Sequence, residues 1–320
     1  MDALCLGELL VDLVSPDADV GLAEARSFVK APGGAPANVA VGLSRWGQRA
    51  GFCGCVGDDA FGHHLRDTLA AEAVDTRGLR LHDGARTTLA FVATRSDGRK
   101  DILFYRHPGA DALLTPDDLD ARLFDGLRLF HFCSVSLSRE PIRSATWAAL
   151  RLAKASGALI SFDPNWRAPL WDDADEARAQ IAHGVAQADL LKVADEELEL
   201  VAGTADVDDA VQRLLAAGPK MVVITFGADG ALAATADSRA RVPGFVVEAI
   251  DALGAGDAFV AGLLSYLLEP TALSLALDET ALTAMLRRAN AAGALATTRV
   301  GVIPALPTAQ AVAEFLEKCP

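Results

Sequence analysis

Positive charge is scarce in this chain, because 29 lysine and arginine residues face 43 aspartate and glutamate residues, for a formal net charge of −14. Nucleic acids and anionic membrane surfaces bind basic patches, so this balance argues against both as partners. A phosphate ligand would have to be held locally, by backbone amides, a bound cation and a few basic side chains. The balance suits a nucleotide whose charge is partly neutralised by a divalent metal ion.

Long apolar runs are also missing, since none approaches the ~20 residues that span a bilayer. Residues 1–8 lack the basic start of a secretory leader, and we therefore expect a cytoplasmic protein. The five cysteines are an odd number without a disulfide framework, which favours a reducing compartment. Cys53 and Cys55 share one strand face but have no second ligand pair at zinc spacing. The GxxxxGK[ST] phosphate loop is absent as well.

Apolar strand-like runs alternate with helical stretches along the whole chain. Runs such as 221–224 are apolar on both faces, which is typical of a parallel sheet covered by helices on each side. Hydrophobic residues make up 51% of the chain, enough for a sizeable core. We predict a three-layer α/β/α sandwich with a mainly parallel central sheet, formed by a single domain over residues 1–320. The predicted strands are 3–10, 50–56, 129–135, 159–163, 190–193 and 221–225, and the predicted helices are 37–46, 61–72, 141–156, 195–201, 207–216, 256–268, 281–297 and 309–317.

One region interrupts this alternation. Residues 86–106 carry two β-rich runs, 87–94 and 101–106, and residues 96–99 between them read as a turn. A hairpin has no place in a parallel sheet. With the insertion at 12–32, it predicts a small antiparallel β-lid that projects from the main sheet.

A glycine-rich segment near the carboxyl end combines a phosphate-binding pattern with a carboxylate. Residues 251–257 read Asp-Ala-Leu-Gly-Ala-Gly-Asp and open an apolar helix. Gly254 and Gly256 let a ligand approach the backbone, so that the amides of Gly254, Ala255 and Gly256 can converge on an anion at the helix N-terminus. Asp257 then lies beside that anion, where it could accept a proton from an attacking hydroxyl. A glycine-rich turn with a capping aspartate is the alternative interpretation.

A second glycine-rich segment opens another helix near the amino end, with Gly33 and Gly34 followed by Asn38. The order and separation of the two segments resemble those of the PfkB (ribokinase-like) carbohydrate kinases, which hold the sugar with the first and the phosphates with the second. The resemblance runs nearly end to end. Further stretches resemble the fructokinase branch of that family: 104–111, 130–132, 162–167, 191–192 with 196–197, and 303–308.

The resemblance implies a ribokinase-like fold and a set of site residues. Asp257 would act as the general base, with Gly254, Ala255 and Gly256 around the transferred phosphoryl group. The sugar would be bound by Asp12, Gly33, Gly34, Asn38, Arg106 and Arg167. The nucleotide would be bound by Lys192, Thr225, Gly227, Gly230 and Asn290. Glu197 is expected to act on Mg²⁺ indirectly, and Asp251 to lie near a monovalent cation such as K⁺.

Two positions depart from the family pattern. The asparagine of the family's NxxE motif is Ala194 here, and the usual threonine after Asp251 is Ala252. The first substitution bears on how Mg²⁺ is positioned. The second removes a hydroxyl near the expected monovalent-cation loop.

The implied activity is ATP-dependent phosphorylation of a sugar, with fructose to fructose 6-phosphate as the expected reaction. Phosphorylation of 2-keto-3-deoxygluconate or another sugar is the nearest alternative, and an inactive sugar- or nucleotide-sensing protein is an alternative of another class. A dehydrogenase is disfavoured, because the segment at 254–256 lacks the third glycine of the dinucleotide fingerprint. Sugar and ATP are the expected partners, together with a second copy of the chain bound through the lid.

Overall fold

The computed structural model describes residues 1–17, 19–94, 100–269 and 274–319. The predicted turn at 96–99 lies outside this part of the chain. The described strands are β1 (Ala3–Leu6), β2 (Leu10–Val14), β3 (Val29–Gly33), β4 (Ala50–Gly57), β5 (Asp75–His82), β6 (Leu89–Thr94), β7 (Lys100–Tyr105), β8 (Leu129–Cys133), β9 (Leu159–Asp163), β10 (Leu190–Ala194), β11 (Met221–Thr225), β12 (Ala231–Ala234) and β13 (Arg239–Val242). The described α-helices are α1 (Ala35–Arg45), α2 (Ala60–Ala71), α3 (Ile142–Ala155), α4 (Ala174–Gln187), α5 (Leu198–Ala202), α6 (Val207–Ala217), α7 (Ala255–Leu268), α8 (Glu279–Thr297) and α9 (Ala309–Lys318).

The larger sheet has the strand order β13-β12-β11-β10-β9-β8-β1-β4-β5. Its strands are parallel, except that β12 and β13 join one edge in antiparallel fashion. Alternate residues of β1 enter two hydrophobic clusters on opposite faces: Leu4 and Leu6 in one, Ala3 and Cys5 in the other. Both faces are therefore covered, and the predicted three-layer sandwich is confirmed. In the residues described, no helix is long and apolar enough to cross a membrane.

The smaller sheet is the lid, with the strand order β3-β2-β6-β7. The pairs β2–β3 and β6–β7 are antiparallel, as predicted, whereas β2 and β6 pair in parallel. The prediction of a purely antiparallel lid is wrong in this respect. Each insertion forms its own hairpin, and because both first strands leave the body in the same direction they can only meet side by side in parallel.

Several local predictions were also wrong. The single strand predicted at 3–10 is split between β1 of the large sheet and β2 of the lid. The break falls at Gly7, whose φ of 156° favours glycine and whose Cβ would lie 2.6 Å from Pro36. The strand predicted at 129–135 ends at Cys133. The helix predicted at 195–201 begins as a 3-10 turn, with the α-helix starting at Leu198.

Helices α1 and α7 cross closely at a glycine. A Cβ atom on Gly42 would lie 2.5 Å from the Cβ of Ala261, a distance that two real side chains do not reach. The missing side chain therefore allows the two backbones to approach. Helix α1 follows β3 of the lid and α7 follows β13 of the large sheet, and the first residues of both helices, Ala35 and Ala255, line one cavity.

We predict that Gly42→Ala is destabilising, because the added methyl group overpacks the crossing at a typical cost of about 1–3 kcal/mol. This cost should outweigh the gain of about 0.5–1 kcal/mol from replacing a helical glycine with alanine. The matched exchange, Gly42→Ala with Ala261→Gly, moves the methyl group to the other helix and should recover much of the lost stability. Urea unfolding of the three proteins measures this. If the single variant is as stable as the wild type, the crossing does not depend on Gly42.

Candidate active site

A cavity of about 830 Å³ lies between the carboxyl ends of the large sheet's strands and the inner face of the lid. The lid contributes Ala90, Val92, Ile102 and Phe104 to its lining. Most of the predicted site residues line this one cavity: Asp12, Gly34, Asn38, Arg106, Arg167, Lys192, Glu197, Thr225, Gly227, Gly254, Ala255, Gly256 and Asp257.

The carboxylate of Asp257 lies in the first turn of α7 and is fixed by a residue of α1. Asn38 Nδ2 donates a hydrogen bond of 2.8 Å to Asp257 Oδ2. Asp257 still faces the cavity, yet protein atoms surround it closely enough for burial to raise its pKa to about 6. The bond from Asn38 opposes this rise, because it stabilises the charged form. A carboxylate with this pKa is ionised at neutral pH and is a better proton acceptor than an ordinary aspartate.

The N-terminus of α7 presents an open surface to the cavity. Gly254 has a φ of 80°, and its Cβ would lie 2.4 Å from Val302, so the turn into the helix requires glycine. Gly256 is helical, and a Cβ there would have no neighbour closer than Lys192 Nζ at 3.9 Å. Gly256 is therefore not needed for an unusual backbone conformation, and its missing side chain leaves space for a ligand. First-turn amides have no carbonyl partner within their own helix, so this space suits an anion.

Lys192 is buried at the floor of the cavity among carboxylates. Its Nζ lies 3.2 Å from Asp163 Oδ2. Burial would lower the pKa of Lys192, but the carboxylates of Asp163, Glu197 and Asp257 outweigh it, and the pKa is raised. Lys192 is therefore a permanent positive charge beside the first turn of α7.

Glu197 is buried in the cavity wall and is already hydrogen bonded through both oxygens. Its Oε1 accepts from the Trp166 amide at 2.6 Å, and its Oε2 accepts from the Ala194 amide at 2.9 Å. Burial raises the pKa of Glu197, with a further contribution from Asp163. These bonds give Glu197 a positioning role for two strand-end loops. Its expected action on Mg²⁺ stays a prediction. Within the described ranges, no three His, Cys, Asp or Glu side chains form a ready-made metal site.

The glycine pair before α1 makes room for protein atoms. A Cβ on Gly33 would lie 2.0 Å from Asp12 Oδ2, and one on Gly34 would lie 2.3 Å from the carbonyl oxygen of Glu8. Glu8 is 6% exposed, and its Oε1 accepts from the Ala35 amide at 2.9 Å. Burial raises the pKa of Glu8 to about 7. The two glycines thus let the Asp12 and Glu8 regions approach the start of α1.

The two predicted arginines differ in their surroundings. Arg106 is buried, and its Nε donates to Asp111 Oδ2 at 2.8 Å while its Nη1 donates to Ser138 Oγ at 3.0 Å. Arg167 is exposed, and its Nη1 donates to the carbonyl oxygen of Trp166 at 2.9 Å. Arg106 is held rigidly at the edge of the cavity, whereas Arg167 lies at its mouth.

Four predicted site residues do not line the cavity. Gly33 packs against Asp12, as described above. Gly230 has a φ of 95°, and its Cβ would lie 2.1 Å from the Val242 carbonyl oxygen, so it shapes the turn into β12. Asn290 donates to the carbonyl oxygens of Val242 and Pro243.

Asp251 is the fourth of these residues. Its Oδ1 accepts from the Leu253 amide at 2.9 Å, and its Oδ2 accepts from the Gly301 amide at 3.1 Å. It ties together two loops behind the α7 N-terminus. Its role at a monovalent cation stays a prediction.

Three buried acids of the site were not predicted: Glu8, Asp111 and Asp163. Asp111 and Asp163 lie in stretches already noted for their resemblance, 104–111 and 162–167, and Glu8 lies between β1 and β2. Their position at strand ends was the available signal. Their partners lie far away in sequence, and no local pattern could show those contacts.

The pfkB family carbohydrate kinase profile matches residues 2–309 of the chain. The chain belongs to the pfkB family of carbohydrate kinases. The resemblance inferred from the two glycine-rich segments is thereby confirmed. Members of this family are phosphotransferases that act on a sugar hydroxyl.

Named relatives of this kinase are similar over nearly its whole length. Probable fructokinase-2 of Arabidopsis thaliana is 46% identical over 312 residues, which cover 97% of this chain and 94% of that protein. The Xylella fastidiosa fructokinase with bound ATP matches with a TM-score of 0.91 and 35% identity, over 99% and 98% of the two chains. A double mutant of the Vibrio cholerae O395 fructokinase, with fructose, ADP and a potassium ion bound, matches with a TM-score of 0.87 and 36% identity, over 98% of each chain.

We predict that kcat/KM of this kinase falls below about pH 6, by about tenfold per pH unit, because Asp257, the expected general base, must be deprotonated to accept a proton. In Asn38→Ala this acid limb should move to higher pH, because the bond that favours the charged form of Asp257 is gone. Ser265→Ala, which changes a buried hydroxyl farther along α7, is the control and should leave the limb in place. An unshifted limb in Asn38→Ala would show that Asp257 is not the titrating group.

Proposed function

We propose that this protein is an ATP-dependent fructokinase, which converts fructose and ATP to fructose 6-phosphate and ADP. The observation that carries this proposal is the Asp257 carboxylate. It faces the cavity from the N-terminus of α7, has a raised pKa, and is fixed by Asn38 of the segment expected to bind the sugar. The proposed base, Asp257, and the proposed anion site at the N-terminus of α7 are therefore next to one another. Relatives named as fructokinases, at 36% to 46% identity, support fructose as the sugar.

In the proposed reaction, Asp257 accepts the proton of a primary sugar hydroxyl as its oxygen attacks the γ-phosphoryl group of ATP. The open first turn of α7 at Gly256 and the Lys192 ammonium stabilise the negative charge on that group. Asp12, Asn38 and the buried Arg106 hold the sugar on the lid side. Thr225 and Gly227, at the end of β11, lie on the nucleotide side.

The divalent ion of the proposed reaction is Mg²⁺. Each carboxylate oxygen of Glu197 keeps a second lone pair beside its amide hydrogen bond, so Glu197 would hold Mg²⁺ through water. Bound Mg²⁺ supplies charge neutralisation on the phosphate oxygens. We further propose K⁺ at the loop held by Asp251, and place Gly230 and Asn290 beside the nucleotide as supports of the β12 turn and the β13 end.

We predict that the wild type phosphorylates fructose in the presence of ATP and Mg²⁺, that EDTA abolishes this activity, and that kcat/KM for fructose exceeds kcat/KM for 2-keto-3-deoxygluconate.

Asp257→Asn should lower kcat by roughly 10²–10⁴-fold, because the amide keeps the shape of the side chain but cannot accept the proton. Burial disfavours ionisation at this position, so the variant should unfold at the same temperature as the wild type or higher. Near-wild-type kcat in a folded Asp257→Asn protein would overturn the assignment. A reversed sugar preference would make the fructose proposal wrong.

We also propose that two copies of this single-domain kinase pair through the outer faces of their lids. Ile102 and Phe104 of β7 face the cavity, so Leu103 and Tyr105, which alternate with them along the strand, face outward, where they are 50% and 62% exposed. Phe91 of β6 packs against the Tyr105 ring, with 5.2 Å between centroids. An apolar face of this kind is suited to a second copy related by two-fold symmetry.

The double variant Leu103→Glu with Tyr105→Glu should shift the protein from dimer to monomer at micromolar concentration, as measured by light scattering. Like charges and lost apolar area would oppose pairing of the two identical faces. Val246→Glu, which introduces a charge at an exposed apolar residue outside the lid, is the control. A monomeric wild type would contradict the proposal.

The cytoplasm is the proposed compartment, because all five cysteines are free thiols.

A further inference from the structure

The lid hairpin β6–β7 is joined to the body at two points, and one buried carboxylate contacts both of them. Thr88 immediately precedes β6, and Arg106 immediately follows β7. The Thr88 hydroxyl donates to Asp111 Oδ1, and Arg106 Nε donates to Asp111 Oδ2 at 2.8 Å. Thr88 and Asp111 are each 1% exposed, and Arg106 is 4% exposed. Each oxygen of a single carboxylate therefore holds one hinge of the hairpin.

Asp111 itself belongs to the body of the protein. It lies in a 3-10 turn, Ala110–Leu113, and the side chains of Ala110, Ala112 and Leu114 are part of the hydrophobic cluster beneath the large sheet. The Ala110 amide also donates to the Arg86 carbonyl oxygen at 2.9 Å. The Asp111 carboxylate therefore connects both ends of the lid hairpin to the hydrophobic core.

The second hinge is also connected to the cavity. Arg106 lines it, and its Nη1 is held by Ser138 Oγ, which itself donates to the Val135 carbonyl oxygen at 2.7 Å. Thr88 does not line the cavity described above. A change at Thr88 can therefore reach a bound sugar only through Asp111 or through the lid.

We propose that Asp111 is a positioning residue, which fixes both hinges of the lid and so sets how the inner face of β6 and β7 covers the sugar. Val92 and Phe104 of that face lie over the cavity. When the hinges are held, these side chains limit the access of water to the phosphoryl group. When a hinge is released, the sugar is held less well and water competes with it, so that ATP is hydrolysed to ADP and phosphate without transfer. The kinetic part of this inference rests on the proposed function.

Thr88→Val tests the proposal, because it removes one donor to Asp111 and nearly conserves volume. We expect the KM for fructose to rise about tenfold, since a hydrogen bond to a charged group is lost, and the KM for ATP to stay within about twofold. The ratio of ATP hydrolysed to fructose phosphorylated should rise as well. Backbone amides of β6 and β7 should exchange with deuterium faster, while those of β8 and β9 keep the wild-type rate.

Thr146→Val is the matched control, because Thr146 is also fully buried but its hydroxyl donates to the Ile142 carbonyl oxygen within α3. It should leave the KM for fructose, the hydrolysis ratio and lid exchange unchanged. Asp111→Asn should have a larger effect than Thr88→Val, because it removes the negative charge that is paired with the buried Arg106 guanidinium. Wild-type kinetics and lid exchange in Thr88→Val, or an equal response in Thr146→Val, would overturn the proposal. Faster lid exchange in Thr88→Val, in a protein that does not phosphorylate fructose, would support the hinge role and overturn only the proposed substrate.

Discussion

The close crossing of α1 and α7 is the constraint on which the active site depends. Gly42 and Ala261 let the two backbones approach, and the hydrogen bond from Asn38 to Asp257 spans the N-terminal ends of the same two helices. One helix carries the segment expected to bind the sugar, and the other carries the proposed base and the proposed anion site. If the two helices were farther apart where they cross, the Asp257 carboxylate would lie farther from the segment expected to bind the sugar. The attacking sugar hydroxyl would then be separated from its proposed base, even if each helix kept its own contacts with the substrates. The packing of α1 against α7 therefore determines the distance between the proposed base and the segment expected to bind the sugar.

The floor of the cavity carries an excess of negative charge, so the binding of a polyphosphate there requires a metal cation or the positive end of a helix dipole. Lys192 is surrounded by the carboxylates of Asp163, Glu197 and Asp257, so the buried groups carry more negative than positive charge. Burial, with a smaller contribution from the Asp163 carboxylate, raises the pKa of Asp257, and the excess of negative charge opposes the approach of a polyphosphate. The N-terminus of α7 and a metal ion that accompanies the nucleotide offset the repulsion. A strongly acidic protein can therefore bind ATP without a basic surface.

The sequence predicted those parts of the fold and site that depend on neighbouring residues. The two glycine-rich helix starts and the apolar strands of the parallel sheet are local patterns, and they were found at their predicted places, except for the strand predicted at 3–10, which is split at Gly7, and the end of the strand predicted at 129–135. Strand β5 (Asp75–His82) was not predicted, because it is a polar edge strand with few buried side chains. Helix α4 (Ala174–Gln187) was missed because its buried residues are Ala177, Ile181, Gly184 and Val185, and only two of these have large apolar side chains, so that its apolar periodicity is weak. Contacts such as Thr88 with Asp111, or Glu197 with the Trp166 amide, join residues from separate elements. The periodicity of a single segment therefore could not predict them.

The hydrogen bond from Asn38 to Asp257 joins residues 219 positions apart in the chain. Contacts of such sequence separation form late, because the entropy of closing the loop must be lost before the contact stabilises anything. The base is therefore positioned only after the strands between the two helices have assembled into the sheet. A chain still emerging from the ribosome, with α7 not yet made, contains the sugar segment without the base. Such a chain lacks the proposed base, and recovery of activity during refolding is therefore expected to follow completion of the whole sheet.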